Sequence, residues 1–261
     1  MKSVQQRFSS AGVTYNRAAD VQATVARRLL EFIPATIMTD NILEVGCGTG
    51  LLTAGLRQRF PGARIDAMDL AAGMIHTARR NLPDAAINWI AADIQHWPAH
   101  RPYPLIASSS ALHWLQPLAG GMNALRRHLR PDGRLYCAMM LSGTLRELHS
   151  LRRRLFPHKP PGADLPDTRA VYRAMTSAGL HITDLRVEKH TTRHASAGEM
   201  LRRLHAQGVT SGPFARGQSP LTRGELLQLI DAYDREHQLD GGVIASYRVV
   251  YLAASADRPP P

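Results

Sequence analysis

The stretch Ile42-Leu43-Glu44-Val45-Gly46-Cys47-Gly48-Thr49-Gly50 constrains this chain more than any other. An apolar run ends in three glycines at alternate positions, and a helix-forming segment from about Leu51 to Phe60 follows at once. The run reads as a buried strand, so the glycines occupy a strand-to-helix turn. Glycine supplies backbone conformations that other residues avoid and lets a ligand approach the main chain closely. A dinucleotide fingerprint, G-x-G-x-x-G, would place its last glycine where Leu51 stands. A P-loop needs Gly-Lys-Ser/Thr, and none follows. What remains is a glycine loop at the carboxyl end of a buried strand, where open α/β sheets bind ligands.

The rest of the chain supplies the sheet. Strands over 42–46, 63–69, 86–93, 104–110 and 134–141 alternate with helices over 51–60, 71–82 and 118–129, and Pro131-Asp132-Gly133 turns the chain into the fifth strand. Strand–helix alternation with short links specifies a parallel sheet with right-handed crossovers. Val21, Val25, Leu29 and Ile33, at four-residue spacing, predict an amphipathic helix over 21–33 that Pro34 ends, so residues 1–34 form an N-terminal cap segment. Beyond 142 come a helix over 145–155, the Pro-rich connector PHKPPGADLP, a helix over 167–178 stopped by Gly179, and a strand over 180–189. Two helices, 197–206 and 223–236, precede a last strand over 243–254 and a frayed tail over 255–261. The expectation is one α/β domain over 1–261 of Rossmann-like type: a mostly parallel seven-stranded sheet with an antiparallel last strand, helices on both faces, and residues 190–240 as a helical lid over the ligand crevice.

Composition narrows the setting. A chain of 261 residues with 44% apolar content can bury a full core. The N-terminus lacks an apolar signal region, and no apolar run reaches the roughly 18 residues of a membrane helix. Cys47 and Cys137 are too few for a disulfide framework, so a cytoplasmic location is expected, with no membrane and no metal site. The net charge of +11 implies attraction to something acidic, although a bias to Arg over Lys explains the excess equally well as genome composition. The tightest basic cluster, Arg152-Arg153-Arg154, lacks interleaved aromatics and reads equally as a solvated helix face.

Two acids join the loop. Asp69 closes the second strand about twenty residues after the glycines, where an acidic side chain can bond ribose hydroxyls. Asp93 closes the third. The spacing E-x-G-x-G-x-G resembles motif I of the class I methyltransferases, which implies S-adenosylmethionine as cofactor, with the loop under its methionine part and the Asp93 position serving the adenine amine. The candidate cofactor residues are therefore Glu44, Gly46, Cys47, Gly48 and Gly50 on the loop, Asp69 and Leu70 after the second strand, Asp93 and Ile94 after the third, and Ser109 closing the fourth.

Outside that core the chain resembles the malonyl-[acyl-carrier protein] O-methyltransferases of early biotin synthesis over nearly its whole length. The resemblance rests on Phe8-Ser-Ser-Ala, Tyr15-Asn-Arg-Ala, Val21-Gln22, Ser109-Ser-Ala-Leu-His113-Trp114, Gly143-Thr-Leu-Arg-Glu147-Leu148, Leu201 to Thr210, Leu221-Thr222-Arg223 and Ser246-Tyr247. His113 stands where that family has Gln, Ser110 where Asn is frequent, Pro104 where Asp often opens the fourth strand, and His205 where Lys is common. The resemblance implies methyl transfer to the free carboxylate of a malonyl thioester on acyl carrier protein or coenzyme A, giving an ester that fatty-acid elongation enzymes accept. Such a carboxylate is ionised near neutral pH, so orientation and partial desolvation suffice and no general base is needed.

Within that reading the catalytic candidates are Tyr15, closing over the reacting methyl, and His113, placed to bond the carboxylate; a packing tyrosine and a satisfied core histidine are the alternatives. Gln22, Trp114, Arg203, His205 and Tyr247 are the substrate-binding candidates, Arg202 or Arg203 being the cation a partly dry carboxylate requires. An acidic carrier protein suits the basic chain. Three other readings stay open: a carboxyl or hydroxyl methyltransferase acting on another small molecule, a nucleic-acid methyltransferase, and a non-catalytic cofactor-binding protein. The fourth-strand exit SSSALHW, unlike the Asn/Asp-Pro-Pro-Tyr/Phe type used on exocyclic base amines, argues against nucleic acid.

Overall fold

The computed structural model describes residues 19–99, 101–162, 165–207 and 219–256. Helix α1 (Asp20–Phe32) buries Val21, Val25 and Leu29, and the chain turns extended at Ile33, as the residue before a proline must. The Rossmann-like half follows: β1 (Asn41–Val45), α2 (Leu51–Arg59), β2 (Arg64–Asp69), α3 (Ala72–Asn81), β3 (Ile87–Ala91), β4 (Tyr103–Ser109), a 3-10 turn over Leu112–Trp114, α4 (Leu118–His128) and β5 (Leu129–Met140). The rest comprises α5 (Arg146–Leu155), α6 (Thr168–Ser177), β6 (His181–His194), α7 (Ala197–Ala206), α8 (Arg223–Glu236), the two-residue β7 (Gln238–Leu239) and β8 (Gly242–Ser255).

The sheet order is β3-β2-β1-β4-β5-β8-β6, with β7 paired to β8. Strands β1 to β5 pair parallel with one another, and β8 runs antiparallel to both β5 and β6. Period-2 alternation splits the core between the two faces. Ile42, Ile65 and Leu105 pack with α1, α2 and α8, whereas Leu43, Met68 and Ile106 pack with α4 and α6. Because β1 lies between β2 and β4, the order reverses beside β1, and the crevice opens at the carboxyl ends of these strands.

Four expectations need correction. Short β7 makes the sheet eight-stranded rather than seven. Pro131-Asp132-Gly133 does not precede β5 but lies within it: the register with β4 jumps from Tyr103↔Leu129 to Leu105↔Arg134, so the extra residues form a bulge in which Pro131 and Asp132 are exposed and Gly133 is buried. β6 continues to His194, so residues 190–194 belong to the sheet rather than the lid. Ser255 ends β8 and Ala256 is buried, so the expected tail can begin only beyond them, outside the described residues.

Candidate active site

The β1–α2 loop is held by one carbonyl. Met68 O accepts from Gly46 N–H at 2.8 Å and Cys47 N–H at 2.9 Å, which ties the loop to the tip of β2. Gly46, Gly48 and Gly50 all have positive φ, at 76°, 55° and 94°. Their surroundings differ. A side-chain carbon at Gly48 would meet no protein atom within 4 Å, because that position faces the cavity. One at Gly50 would lie 3.0 Å from Leu82 Cδ1; Gly50 caps α2 in the left-handed conformation and is not in the cavity wall. Unlike Gly48, it faces the end of α3, because α2 begins there and turns the position away from the cavity.

Asp69 stitches the loop further. Its Oδ2 accepts from Gly48 N–H at 2.9 Å and its Oδ1 from Ala71 N–H at 2.8 Å, and burial raises its pKa despite those bonds. Glu44 is 1% exposed, and its Oε2 has no partner among the described residues. Burial, reinforced by the Asp69 charge, pushes its carboxyl up to about 8. Cys47 is buried in the same wall, and burial drives its thiol well above its ordinary value. Asp93 lies two residues beyond β3 and closes a turn, accepting from Gln95 N–H at 3.0 Å and meeting His96 Nδ1 at 3.0 Å. Leu70 and Ile94 line the cavity beside the two acids.

The exit of β4 forms the opposite rim. Ser109 and Ser110 hydroxyls are buried without partners among the described residues, and Ser110 has a positive φ of 56°. His113 is 4% exposed and its Nδ1 is unpartnered. Burial pushes its pKa down to about 3, so the ring is neutral in the physiological range and offers a hydrogen bond rather than a charge. Trp114 lies against it, ring centroids 5.3 Å apart.

The lid side is mostly apolar. Gln22 Nε2 on α1 donates to Gln207 Oε1 at 3.2 Å, joining the N-terminal helix to the end of α7 at the cavity wall. Tyr247 of β8 is buried there, with its phenol pKa raised by burial. Three candidates fall elsewhere. Arg203 pairs with Asp20 at 2.9 Å, His205 and Arg202 are exposed, and none lines the cavity, because α7 turns Leu201 and Leu204 toward it instead. Tyr15 lies outside the described residues. The lining residues that were not anticipated include His149 and Arg152 of α5, Gln207, and Thr144 in the loop after β5.

These parts enclose one cavity of 550 Å³ that runs from the glycine loop to the leucines of the lid. Its strand-tip half fits S-adenosylmethionine. The open face at Gly48 leaves room for close approach, the unpartnered Oε2 of Glu44 suits a cationic group, and the Ser109 hydroxyl has no partner among the described residues. Among the described residues no group of acids, histidines and cysteines could hold a metal ion, and no helix is long and apolar enough to cross a membrane.

Fold and site together define a class I S-adenosylmethionine-dependent methyltransferase, and the sequence model described as a methyltransferase domain matches residues 42–133. A protein of Bacillus halodurans C-125 assigned as a methyltransferase shares the fold, with a TM-score of 0.65 at 12% identity over 90% of this chain and 100% of that one. The malonyl-[acyl-carrier protein] O-methyltransferase of Hahella chejuensis is 32% identical, over 94% of this chain and 87% of its own length. The biotin biosynthesis bifunctional protein BioHC of Cellvibrio japonicus is 31% identical over 96% of this chain but only 49% of its own. The chain belongs to the malonyl-[acyl-carrier protein] O-methyltransferase family. It spans about half the length of several curated relatives that it matches.

Proposed function

We propose that this enzyme methylates the free carboxylate of a malonyl thioester borne by acyl carrier protein, the step that opens biotin synthesis in the reading its relatives' names suggest. The match to the Hahella chejuensis relative carries the proposal, because it covers 94% of this chain and so reaches well beyond the glycine-loop half of the cavity. S-adenosylmethionine, when bound, supplies a sulfonium methyl whose carbon bonds to a carboxylate oxygen as the carbon–sulfur electron pair returns to sulfur.

The chain's residues divide that task. Asp69 and Asp93 at neighbouring strand tips hold ribose and adenine, Leu70 and Ile94 wall the nucleoside, and the loop from Glu44 to Gly48 carries the methionine part. On the acceptor side, neutral His113 donates one hydrogen bond, and Trp114, Tyr247 and the Gln22–Gln207 pair shape the pocket. A buried histidine with its pKa near 3 is a poor base, and an ionised carboxylate needs none. Positioning therefore does most of the work, and in favourable cases it is worth roughly 7–11 kcal/mol.

The test is an acceptor panel with isotopically labelled cofactor. Malonyl-carrier protein is expected to be methylated fastest, malonyl-coenzyme A more slowly, and free malonate least. Transfer to a small acid or hydroxyl acceptor in preference to every malonyl thioester would overturn the substrate assignment while leaving the enzyme class intact.

A further inference from the structure

The cation that a buried acceptor carboxylate requires is missing from α7, and the structure offers another. Leu145, Leu148, His149 and Arg152 line the cavity. Their i, i+3, i+4, i+7 spacing is one face of a helix, so Arg152 occupies a position that the pattern reserves for an inward-facing residue. Its neighbours Arg153 and Arg154 are exposed, whereas Arg152 is half-buried. Among the described residues that line the cavity, Arg152 is the single Lys or Arg.

Its hydrogen bonds fix the guanidinium without neutralising it. Nε donates to Lys159 O at 2.9 Å and Nη2 to Ser219 O at 2.9 Å. Among the described residues no carboxylate forms an ion pair with it, and the nearby acid, Glu225, is taken by Lys159 at 2.7 Å. A guanidinium carries five N–H donors. With two on carbonyls, three remain for a ligand, in a cavity that Leu148, His149, Leu165, Leu201 and Leu221 also line. Burial lowers its pKa and outweighs the opposing influence of the Glu225 charge, as expected for a cation that has surrendered water without a direct ion pair.

We propose that Arg152 pairs with the free carboxylate of the acyl acceptor and makes the site selective for the acid over its methyl ester. The proposal rests on the carboxylate-acceptor reading above and deepens it. The two carbonyls pre-orient the planar fork, so little side-chain entropy is lost when a carboxylate arrives. Methylation then removes the negative charge that Arg152 holds. Acid is retained and ester released, a direction built into the pocket by one charge.

The test compares the malonyl thioester of N-acetylcysteamine with its methyl ester, neither of which carries phosphate. Each is titrated calorimetrically into the protein saturated with S-adenosylhomocysteine. Arg152→Gln is expected to weaken the acid about 10- to 100-fold, the range for hydrogen bonds to a charged group, and the ester less than about twofold. Arg153→Gln, on the exposed side of the helix, should change neither. If Arg152→Gln does not fold, Arg152→Lys keeps the charge without the fork and should retain a reduced preference for the acid. Equal weakening of acid and ester would reduce Arg152 to a clamp on Lys159 and Ser219 and overturn the proposal, as would no preference for the acid in the wild type. A wild type that prefers the acid yet methylates no malonyl thioester would instead overturn the substrate assignment and leave the role of Arg152 standing.

Discussion

Replacing Glu44 by Gln removes a proton switch from the wall of the cofactor cavity. Burial and the neighbouring Asp69 charge hold the Glu44 carboxyl at about 8, with Oε2 unpartnered among the described residues. The free protein is therefore mostly protonated at Glu44 at neutral pH, with roughly one molecule in ten ionised. S-adenosylmethionine is cationic, and a cation beside the carboxyl favours the ionised form. Binding must then draw a proton off Glu44, at a cost of about 1.4 kcal/mol at pH 7 that vanishes above about pH 8. The affinity of the wild type relative to Glu44→Gln should rise about tenfold per unit between about pH 6 and 8 and level off beyond. The ratio cancels titration of the cofactor's own amino group, which affects both proteins alike. Isothermal titration calorimetry across that range, in two buffers of different ionisation enthalpy, measures both the affinities and the protons released. The same residue marks stability. Its folded value lies above its unfolded one, so the free wild type should lose about 1.4 kcal/mol per unit relative to Glu44→Gln as pH rises from about 4.5 to 8. An affinity ratio that stays flat with pH refutes the assignment of Glu44 to a cationic group.

Further predictions separate binding from folding. Gly48→Val should abolish calorimetric cofactor binding with a modest fall in melting temperature, because the side chain enters open cavity at a strained φ of 55°. Gly50→Ala should do the reverse, costing about 1–3 kcal/mol of stability against Leu82 while a thermally intact sample keeps its cofactor affinity within about threefold. Asp69→Ala strands the Gly48 and Ala71 N–H groups, so both melting temperature and cofactor affinity should drop, by about 1–3 kcal/mol in stability for each group left unsatisfied. His113 is depressed to about 3, so its stabilising neutral form is fully present above about pH 6.5 and lost as pH falls toward 3; His113→Gln should shift acid unfolding to lower pH, and the wild-type rate profile should show no His113 inflection between about pH 5 and 8.

The parts of this molecule legible in its sequence are those where hydrophobic burial writes a pattern. β1 shows as a largely apolar run, Ile42, Leu43 and Val45 around a buried Glu44, because both its faces are covered, and the glycines after it show because each has a positive φ that other residues avoid. The far end of β6 leaves no such trace. It lies at the sheet edge, paired only with β8, so Lys189, Thr191 and Arg193 can face solvent and the apolar rhythm fades while the strand continues. Arg152 was hidden for the opposite reason. Its spacing with Leu145 and Leu148 marks it as inward-facing, but its charge and its place in an Arg run argue for a solvated surface. Only the fold, which brings the carbonyls of Lys159 and Ser219 to it, decides between them. Arg203 shows the converse: a lid arginine at a plausible position that Asp20, from a helix distant in sequence, has already claimed.

The most direct measurement is the fate of the methyl carbon. With carbon-13 in the cofactor's methyl group and malonyl-carrier protein as acceptor, NMR of the product should reveal a single O-methyl ester signal that disappears on mild base treatment with release of methanol. A base-stable methyl on carbon or nitrogen, or a label that never leaves the cofactor despite saturated binding, would contradict the account.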